Sequence, residues 1–482
     1  MTQARKSIGF YLFGKVALAL FLLIVLALDA RCSAASEPLH RPNNASGKSK
    51  LVALAATIFP NLTHAEVALL EHADVKNIGR TIYAASGPSL NPDDSSNDPS
   101  NASQWGPQRE IRASLIRWMS VDPDAIKQID PQGIRVLGAK IVGSLDLSQV
   151  HAPFGITLRN CAIPEAMELG SAEIPSLDLQ GSYTGSIHTI LLIVLHALYL
   201  GQVHLTGIAD FSGATMDTLS APGGHFKYAG EPGYPLDPNR TVLNLTYAKI
   251  KGSVILYNGF EADGGVDLRQ AIIGGDLNCV SGHFFNPGNI AISAIATEIG
   301  GSVILMSAES TGYPFQRGGP LRVKGSLRFR GTRMGSIIVE QAIFSGPATR
   351  ANDAVPPLLL EMPLITVKTI FFWRDVTLDS GAQFELSGSV GFLADQEGSW
   401  PGPGNLFIDG LTYSGFQSGP TSADTRLKWI ALQPDYHPQP YRQLAKVLRE
   451  MGDEKGAVKV LVAEGDARYR QMALPGACSA PS

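Results

Sequence analysis

The chain has 482 residues, a hydrophobic content of 44%, a charged content of 17% and a formal net charge of −4. This composition excludes a chain that is disordered throughout, because it supplies enough apolar residues to build a core. The small negative charge argues against a nucleic-acid-binding protein, which normally carries a basic surface. The length suggests several domains, unless the chain is built from repeats that add layers to a single domain.

The first predicted element is an export signal in residues 1–35. Arg5 and Lys6 precede an uninterrupted apolar run at positions 16–28, and small residues follow at positions 33–35. This order is typical of a signal peptide, and residues 8–28 taken together also have the length of a membrane anchor. We therefore predict an exported protein of the periplasm or cell envelope. Cleavage of the signal, its retention as an inner-membrane anchor and a cytosolic location are the alternatives. Residues 36–63 are predicted to form a linker.

Residues 64–130 are predicted to form a helical cap at the start of the repeats. Thr63 and Glu66 have the spacing of a capping box, which places a short helix at Ala65 to Ala73. An amphipathic helix is predicted from Gln108 to Met119, because apolar residues recur there at helical spacing. Between these helices, residues 86–104 are rich in Ser, Asn, Asp and Pro and are predicted to form a flexible loop.

Residues 131–425 repeat a short phrase, and repetition decides the fold class before any other signal. The phrase is a glycine, a small or polar residue and an apolar–polar–apolar triplet, whose two apolar residues point to one side of a strand. It occurs at Gly143–Leu147, Gly252–Leu256, Gly275–Cys279, Gly301–Leu305, Gly325–Phe329 and Gly335–Val339. Strand centres recur about every 11 to 13 residues, and the glycine phrase returns at about twice that spacing.

This pattern predicts a mainly β fold, a right-handed parallel β-helix that forms a solenoid. Each coil is predicted to contain two main strands. The glycines are predicted to lie at corners where the backbone needs positive φ or close approach.

Two stretches interrupt the rhythm. Ile187 to Leu200 is strongly apolar but too short to span a membrane. We predict that it is a buried segment covering the coil, with a membrane-dipping element as the alternative. Residues 346–363 are rich in Pro and Ala and are predicted to loop out.

Residues 426–472 change from strand to helix patterning. Pro440 can begin a helix that runs to Met451, Gly452 ends it, and a second helix extends to about Tyr469. The predicted helical hairpin resembles a single tetratricopeptide unit. One such pair cannot bury both of its faces, so we expect it to pack on the last coil or on a partner.

Several segments together resemble a family of bacterial β-solenoid repeat proteins of unknown function, whose members are often labelled hypothetical or membrane-associated oxidoreductase. These segments are Trp105 to Arg112, Val136 to Leu147, Leu393 to Tyr413 and Gln439 to Ala445, and the resemblance covers roughly residues 105–470. The resemblance implies a repeat fold but no catalytic residues. No redox cysteine pair, haem motif or Gly-x-Gly-x-x-Gly opening a βα unit accompanies it.

The candidate functional residues are few. Four aspartates lie at or beside the outward position of predicted strands: Asp146, Asp178, Asp267 and Asp276. If stacked coils bring them together, paired carboxylates would bind Ca²⁺ or act as acid and base. Otherwise they form a solvated ladder. Aromatic clusters at 284–285, 313–315 and 371–373, together with Trp400 and Tyr413, are candidates for sugar stacking or for core packing. Cys161 and Cys279 fall at apolar positions and are predicted to be buried.

Two functional hypotheses follow. The first is a non-catalytic, envelope-associated repeat scaffold that binds protein or polysaccharide along the side of the solenoid. The second is a polysaccharide lyase or hydrolase that uses carboxylates on the β-helix exterior. Two carboxylates close together in a groove beside a basic residue would favour the enzyme. The sequence indicates no catalytic or metal motif, no cofactor and no nucleic-acid partner, and it allows membrane association through the N-terminus.

Overall fold

The computed structural model describes residues 49–77, 81–229, 237–311, 318–346 and 358–473. The predicted export signal and the first part of the predicted linker lie outside the described residues, as do positions 347–357 of the predicted loop. Within these ranges the fold is mainly β, with 36 strands joined in one long sheet. Every pairing between these strands is parallel, as the repeated phrase predicts.

The first 26 strands contain two to four residues each. They are β1 (Ala84–Ala85), β2 (Glu110–Arg112), β3 (Ile134–Leu137), β4 (Lys140–Val142), β5 (Leu145–Asp146), β6 (Ile156–Arg159), β7 (Ala162–Ile163), β8 (Met167–Glu168), β9 (Glu173–Ile174), β10 (Leu177–Asp178), β11 (Tyr183–Thr184), β12 (Ile187–His188), β13 (Ile193–Val194), β14 (Ala197–Tyr199), β15 (His204–Thr206), β16 (Ala209–Asp210), β17 (Thr215–Met216), β18 (Thr218–Ser220), β19 (His225–Lys227), β20 (Thr241–Asn244), β21 (Lys249–Ile250), β22 (Val254–Ile255), β23 (Glu261–Asp263), β24 (Gly265–Asp267), β25 (Ile272–Ile273) and β26 (Leu277–Asn278).

The last ten strands include much longer ones, of up to 15 residues. They are β27 (His283–Ser293), β28 (Glu298–Met306), β29 (Leu321–Arg328), β30 (Arg333–Glu340), β31 (Ala342–Ser345), β32 (Leu360–Arg374), β33 (Thr377–Leu378), β34 (Phe384–Asp395), β35 (Leu406–Phe407) and β36 (Leu411–Phe416).

The pairing order reveals the repeat. From β6 to β22 each strand pairs with the strand four places further along the chain. Leu177 aligns with Leu198, so one return of the chain takes 21 residues at that point. We call four successive strands a coil, and this repetitive parallel arrangement fits a solenoid.

The predicted number of strands per coil is therefore wrong: there are four, not two. The two missed strands of each coil are often only two residues long, as in β11 and β13. Each points one residue into the core, for example Thr184 and Val194. A single inward residue produces no alternation, so the sequence pattern detects only the other two strands.

The outward aspartates and asparagines have a conformational role at the corners. The carboxylates of Asp146, Asp178, Asp210 and Asp267 each accept a hydrogen bond from the backbone N–H two residues later, at 2.9–3.1 Å. This is an Asx turn, which leads the chain out of the strand. A residue with positive φ follows at most of these corners, for example Gln149 at 60°.

The repeated glycines mostly serve close approach. Gly252, Gly275, Gly301 and Gly335 stack on successive coils. A Cβ atom at Gly275 would lie 2.9 Å from the carbonyl oxygen of Gly252, and one at Gly301 would lie 2.9 Å from that of Gly275. None of these four has positive φ. Glycine is therefore needed at these four positions because the backbones of successive coils approach closely, and not because of positive φ.

The segment Ile187 to Leu200 is an ordinary coil, which corrects the prediction of a covering segment. It supplies β12, β13 and β14, and all three pair in register with both neighbouring coils. The repeat is difficult to detect in this segment because apolar residues also occupy outward and corner positions. Ile190 and Leu191 are 56% and 59% exposed.

Two helices open the described chain. The first, α1 (Lys50–Ile58), lies inside the segment 36–63 that was predicted as a linker. One face of α1 is buried through Leu51 and Ala55, so this segment is a packed helix and not a flexible linker. The second, α2 (His64–Ala73), has the predicted capping box between Thr63 and Glu66.

The predicted helix from 108 to 119 begins later than expected. Its first residues form β2, which pairs with β4, and only then does α3 (Ala113–Val121) start, followed by α4 (Pro123–Ile126). The cause is a tertiary contact. Arg112 Nε donates to Glu66 Oε1 at 2.7 Å and holds this segment extended. The predicted loop 86–104 also has structure, in short 3₁₀ turns.

Four further helices occur in the described chain. A short helix, α5 (Ala308–Thr311), follows β28. The predicted C-terminal hairpin is present as α7 (Pro438–Glu450) and α8 (Glu454–Ala473), and it is preceded by α6 (Ala423–Ile430), which was not predicted. The α7 helix packs on β36, where Gln443 Nε2 donates to the carbonyl oxygen of Tyr413 at 2.7 Å.

One continuous core runs through the coils and includes both predicted cysteines. Cys161 and Cys279 are free and fully buried. Burial raises the pKa of the Cys161 thiol to about 12 and also raises that of Cys279, so neither is a thiolate at neutral pH. Among the described helices, none is both long and apolar enough to cross a membrane.

Candidate functional site

The four predicted aspartates are not assembled into one site. Asp146 and Asp267 lie on the same column of paired strands but are separated by four intervening coils, while Asp178 lies on a different column. Asp178 pairs with Arg159 at 2.8 Å and Asp267 with Arg269 at 2.6 Å.

The remaining two aspartates are likewise engaged locally. Asp146 lies 3.5 Å from Arg117. Asp276 Oδ1 accepts a hydrogen bond from the backbone of Ser302 at 2.6 Å. In the described ranges, no group of three or more His, Cys, Asp or Glu residues is arranged to hold a metal ion.

A cleft of about 580 Å³ opens instead between the segment 92–99 and one side of the coils. Three kinds of groups line it: rings, here called the floor, corner residues, here called the wall, and carboxylates of the segment 92–99, here called the rim. Its lining residues are Pro92, Asp93, Asp94, Ser95, Asp98, Pro99, Asn160, Gly181, Tyr183, Gln202, His204, Gly223, His225, Asn258 and Gly259.

The floor is a stack of rings on three successive coils. Tyr183 aligns with His204, and His204 aligns with His225, in neighbouring parallel strands. The ring centroids are 4.3 Å apart in the first pair and 4.7 Å apart in the second. Strand register thus places one ring per coil, with the faces of neighbouring rings turned toward each other and the ring edges toward the cleft.

The column continues beyond the rings with charged partners. His225 Nδ1 lies 3.0 Å from Glu261 Oε2, and His283 Nδ1 lies 3.6 Å from Glu261 Oε1. The single carboxylate therefore orients two imidazoles, one on each adjacent coil.

Two of the three floor rings, Tyr183 and His204, carry no charge at neutral pH. Burial, reinforced by the neighbouring His225, lowers the pKa of His204 below the usual histidine value. Burial and the nearby Asp98 carboxylate raise the pKa of Tyr183, so its phenol stays protonated. Both groups therefore act as neutral rings with hydrogen-bonding edges.

The wall is a column of corner residues from five coils, in which carboxamides alternate with glycines. Asn160, Gln202 and Asn258 have φ of 49°, 54° and 55°, and Gly181 and Gly223 have φ of 69° and 62°. A Cβ at Gly181 would come within 2.8 Å of Asn160 Oδ1. The glycines thus leave room for the amides of adjacent coils. Asn258 Oδ1 is buried and has no hydrogen-bond partner within the described residues.

The rim is formed by Asp93, Asp94 and Asp98 from the predicted loop. Asp94 and Asp98 accept hydrogen bonds from the N–H groups of Ser96 and Ser100, each at 2.9 Å, and so begin two 3₁₀ turns. The bond from Ser96 lowers the pKa of Asp94. The rim is therefore anionic at neutral pH.

Arg109 fastens this segment to the coils. Its guanidinium donates to the carbonyl oxygen of Ser96 at 2.8 Å and, through Nε, to that of Gly138 at 2.9 Å. Asn97 is fully buried beside it and binds the carbonyl oxygens of Ser89 and Asn91. These contacts keep the rim above the ring stack.

The sequence carries one signal for this site. Tyr183, His204 and His225 are spaced 21 residues apart, which is the length of one coil. Of the predicted aromatic candidates, Phe371 and Trp373 are fully buried in the core, and Trp400 and Tyr413 are also buried. Positions 313–315 lie outside the described residues.

A second, smaller cavity of about 220 Å³ lies between the turn after β34 and α6. Trp400, Pro401 and Trp429 line it, and the ion pair of Asp395 with Arg426 forms part of its wall. It lacks the once-per-coil repetition of the larger cleft.

No protein-family model, curated protein or solved structure matches this chain. The interpretation of the cleft therefore depends on its own geometry.

Proposed function

We propose that this protein is a non-catalytic, envelope-associated repeat scaffold that binds a polysaccharide in the cleft above Tyr183, His204 and His225. The single observation that carries this proposal is the alignment of the three rings with a wall of carboxamides across one open cleft.

The groups in the cleft match the chemistry of sugars. The edges of the phenol and imidazole rings can donate hydrogen bonds to sugar hydroxyl groups or accept them. Carboxamides both donate hydrogen bonds to hydroxyl groups and accept them, whereas carboxylates accept them. The groups recur once per coil, at a separation of about 4.8 Å between neighbouring strands, which suits a ligand that is itself a repeating polymer.

Binding by purified protein to a panel of soluble polysaccharides, measured by calorimetry, tests this proposal. The informative variant is Gln202→Gly, which removes one amide of the wall while keeping a residue that tolerates positive φ. Gln149→Gly is the matched control, because Gln149 has φ of 60° at a corner outside the cleft. We expect Gln202→Gly to weaken binding by up to about tenfold, the value of one lost hydrogen bond, and Gln149→Gly to leave it unchanged.

Two outcomes would contradict the proposal. If no polysaccharide binds, or if both glycine variants bind like the unaltered protein, the cleft is not a glycan site. Release of new chain ends from the polysaccharide would replace the binding role by the alternative of a lyase or hydrolase.

We further propose that the coils wind in the right-handed sense and that the helices at both ends of the sheet cap it. Right-handed connections between parallel strands are strongly preferred, and the terminal units of a repeat array must cover exposed apolar edges. The signal-like residues 1–35 support export to the periplasm or cell envelope. The segments Trp105 to Arg112, Val136 to Leu147, Leu393 to Tyr413 and Gln439 to Ala445 support membership of the bacterial β-solenoid family. A crystal structure and a reporter fusion to the N-terminus test these points.

A further inference from the structure

The charges that line the cleft are all of one sign. Asp93, Asp94 and Asp98 contribute three carboxylates, and no lysine or arginine is among the lining residues. The cation nearest to the rim along the chain, Arg109, is turned toward carbonyl oxygens of Ser96 and Gly138. An anionic polymer would therefore meet repulsion at the rim without compensation.

Two of the three floor rings add no cation to offset the rim. Lowering of the pKa of His204 keeps that ring neutral at pH 7, and Tyr183 remains a neutral phenol. The third floor ring, His225, faces the carboxylate of Glu261, as does His283 on the following coil. A neutral imidazole keeps one nitrogen atom that accepts a hydrogen bond, which an ammonium group can donate.

We propose that the ligand is a polysaccharide that carries free amino groups, an amino-sugar polymer whose nitrogen atoms are not acetylated. This inference rests on the proposed polysaccharide-binding function and specifies its substrate class. The protonated amines pair with the rim carboxylates, while the sugar hydroxyl groups meet the edges of Tyr183 and His204.

Oligosaccharides of the same length but different charge distinguish the effect of ligand charge on binding from the effect of ligand shape. We would compare β-1,4-linked glucosamine oligomers with fully N-acetylated oligomers of the same length and with glucose oligomers, by calorimetry at low and high salt. The amine-bearing oligomer is expected to bind about tenfold more tightly than the other two, and this preference should shrink at high salt because exposed charges are screened.

The matching variant replaces all three rim aspartates with asparagine. Asparagine caps short helices as well as aspartate does, so the 3₁₀ turns at Asp94 and Asp98 are retained. Asp122→Asn is the control, because Asp122 caps α4 through the N–H groups of Asp124 and Ala125 and lies outside the cleft. We expect the triple variant to bind all three oligomers alike and Asp122→Asn to keep the preference. Unchanged thermal midpoints for both would show intact folds.

The possible failures are distinguishable. If acetylated or glucose oligomers bind as tightly as the amine-bearing one, or if the triple variant keeps the preference, the charge inference is overturned while the polysaccharide-binding function stands. If no oligomer of any kind binds, the proposed function itself fails together with this inference.

Discussion

Arg426 and Asp395 form a buried ion pair where α6 meets the last coils. Their side chains are 1% and 2% exposed, and the pair is bidentate, at 2.6 and 2.8 Å. Trp400 Nε1 also donates to Asp395, at 2.8 Å. Two charges placed in such surroundings depend on each other, because neither has water to replace a lost partner.

Replacement of Arg426 by Met is therefore expected to lower the free energy of unfolding by about 3–5 kcal/mol, because Asp395 remains buried without a counter-charge. Urea unfolding measures the change. Lys459→Met is the control, since Lys459 and Asp424 form an exposed pair at 2.6 Å, whose loss should cost about 0–1 kcal/mol. A loss for Arg426→Met as small as that of the control would contradict the expectation.

His204 makes stability depend on pH in a definite direction. Its folded-state pKa is lowered by burial and by His225, so the unfolded chain takes up this proton at a higher pH than the folded chain does. Stability from this residue is complete above about pH 6.5, the unfolded value, and falls as the pH drops toward the lowered folded value. We expect His204→Gln to reduce the loss of stability between pH 7.5 and 5.5.

Urea unfolding of both proteins at several pH values measures this effect. The other histidines are common to both, so the difference between the two curves isolates His204. Parallel curves would show that burial does not hold this ring neutral.

At the scale of elements, the contact between coils depends on the glycine stack. A Cβ at Gly275 would meet Ser253 Oγ and the backbone of Gly252. Gly275→Ala is therefore expected to destabilise the fold by about 1–3 kcal/mol through overpacking. Gly170→Ala is the control, because no atom lies within 4 Å of its Cβ position. Thermal midpoints compare them, and equal midpoints would contradict the stacking role.

The sequence predicted those elements whose own residues determine them. The apolar–polar–apolar phrase predicts parallel strands, and the Thr63–Glu66 capping box predicts α2, because both patterns are local. Strands that turn only one residue into the core produce no alternation and therefore carry too little pattern to be found. The helix start at Ala113 was misplaced because Glu66 holds Arg112 extended from 46 positions away.

The candidate site was harder to predict for a related reason. Its floor requires the coil length of 21 residues, which assigns Tyr183, His204 and His225 to one column. Its rim requires the fastening of the loop by Arg109 to Gly138, a contact between positions 29 apart. The equal spacing of the three rings is present in the sequence, but it acquires a meaning only once the strand register gives the coil length, and the contact of Arg109 has no sequence signal. The positions of the outward aspartates, in contrast, are visible in the sequence, because turn formation is a local property of those residues.

At the scale of the whole molecule, each coil contacts mainly its neighbours, so the last one depends on the C-terminal helices. Trp429 of α6 packs on Trp400 at 5.5 Å between ring centroids. A chain ending at Gln417 would expose Trp400, Phe416 and the open edge of β36, which is a template for pairing with other chains. We expect this truncated protein to aggregate.

Light scattering and size-exclusion chromatography measure the outcome of that truncation. A chain ending at Ala473 retains all three C-terminal helices and serves as the control. A soluble, monodisperse product from the shorter chain would show that the helices are dispensable for protecting the last coil.

The wall and the floor of the cleft gain one member with every coil, whereas the segment 92–99 that overhangs them is a single loop of fixed reach. Duplication of one coil beneath that loop would add a ring or an amide to the cleft, because the added coil would repeat the existing backbone conformation. If the cleft binds a polysaccharide as proposed, the number of sugar units bound would then equal the number of coils covered by the loop. The loop and the number of coils beneath it would together set the length of ligand bound. A single in-frame duplication or deletion of a coil would change that length.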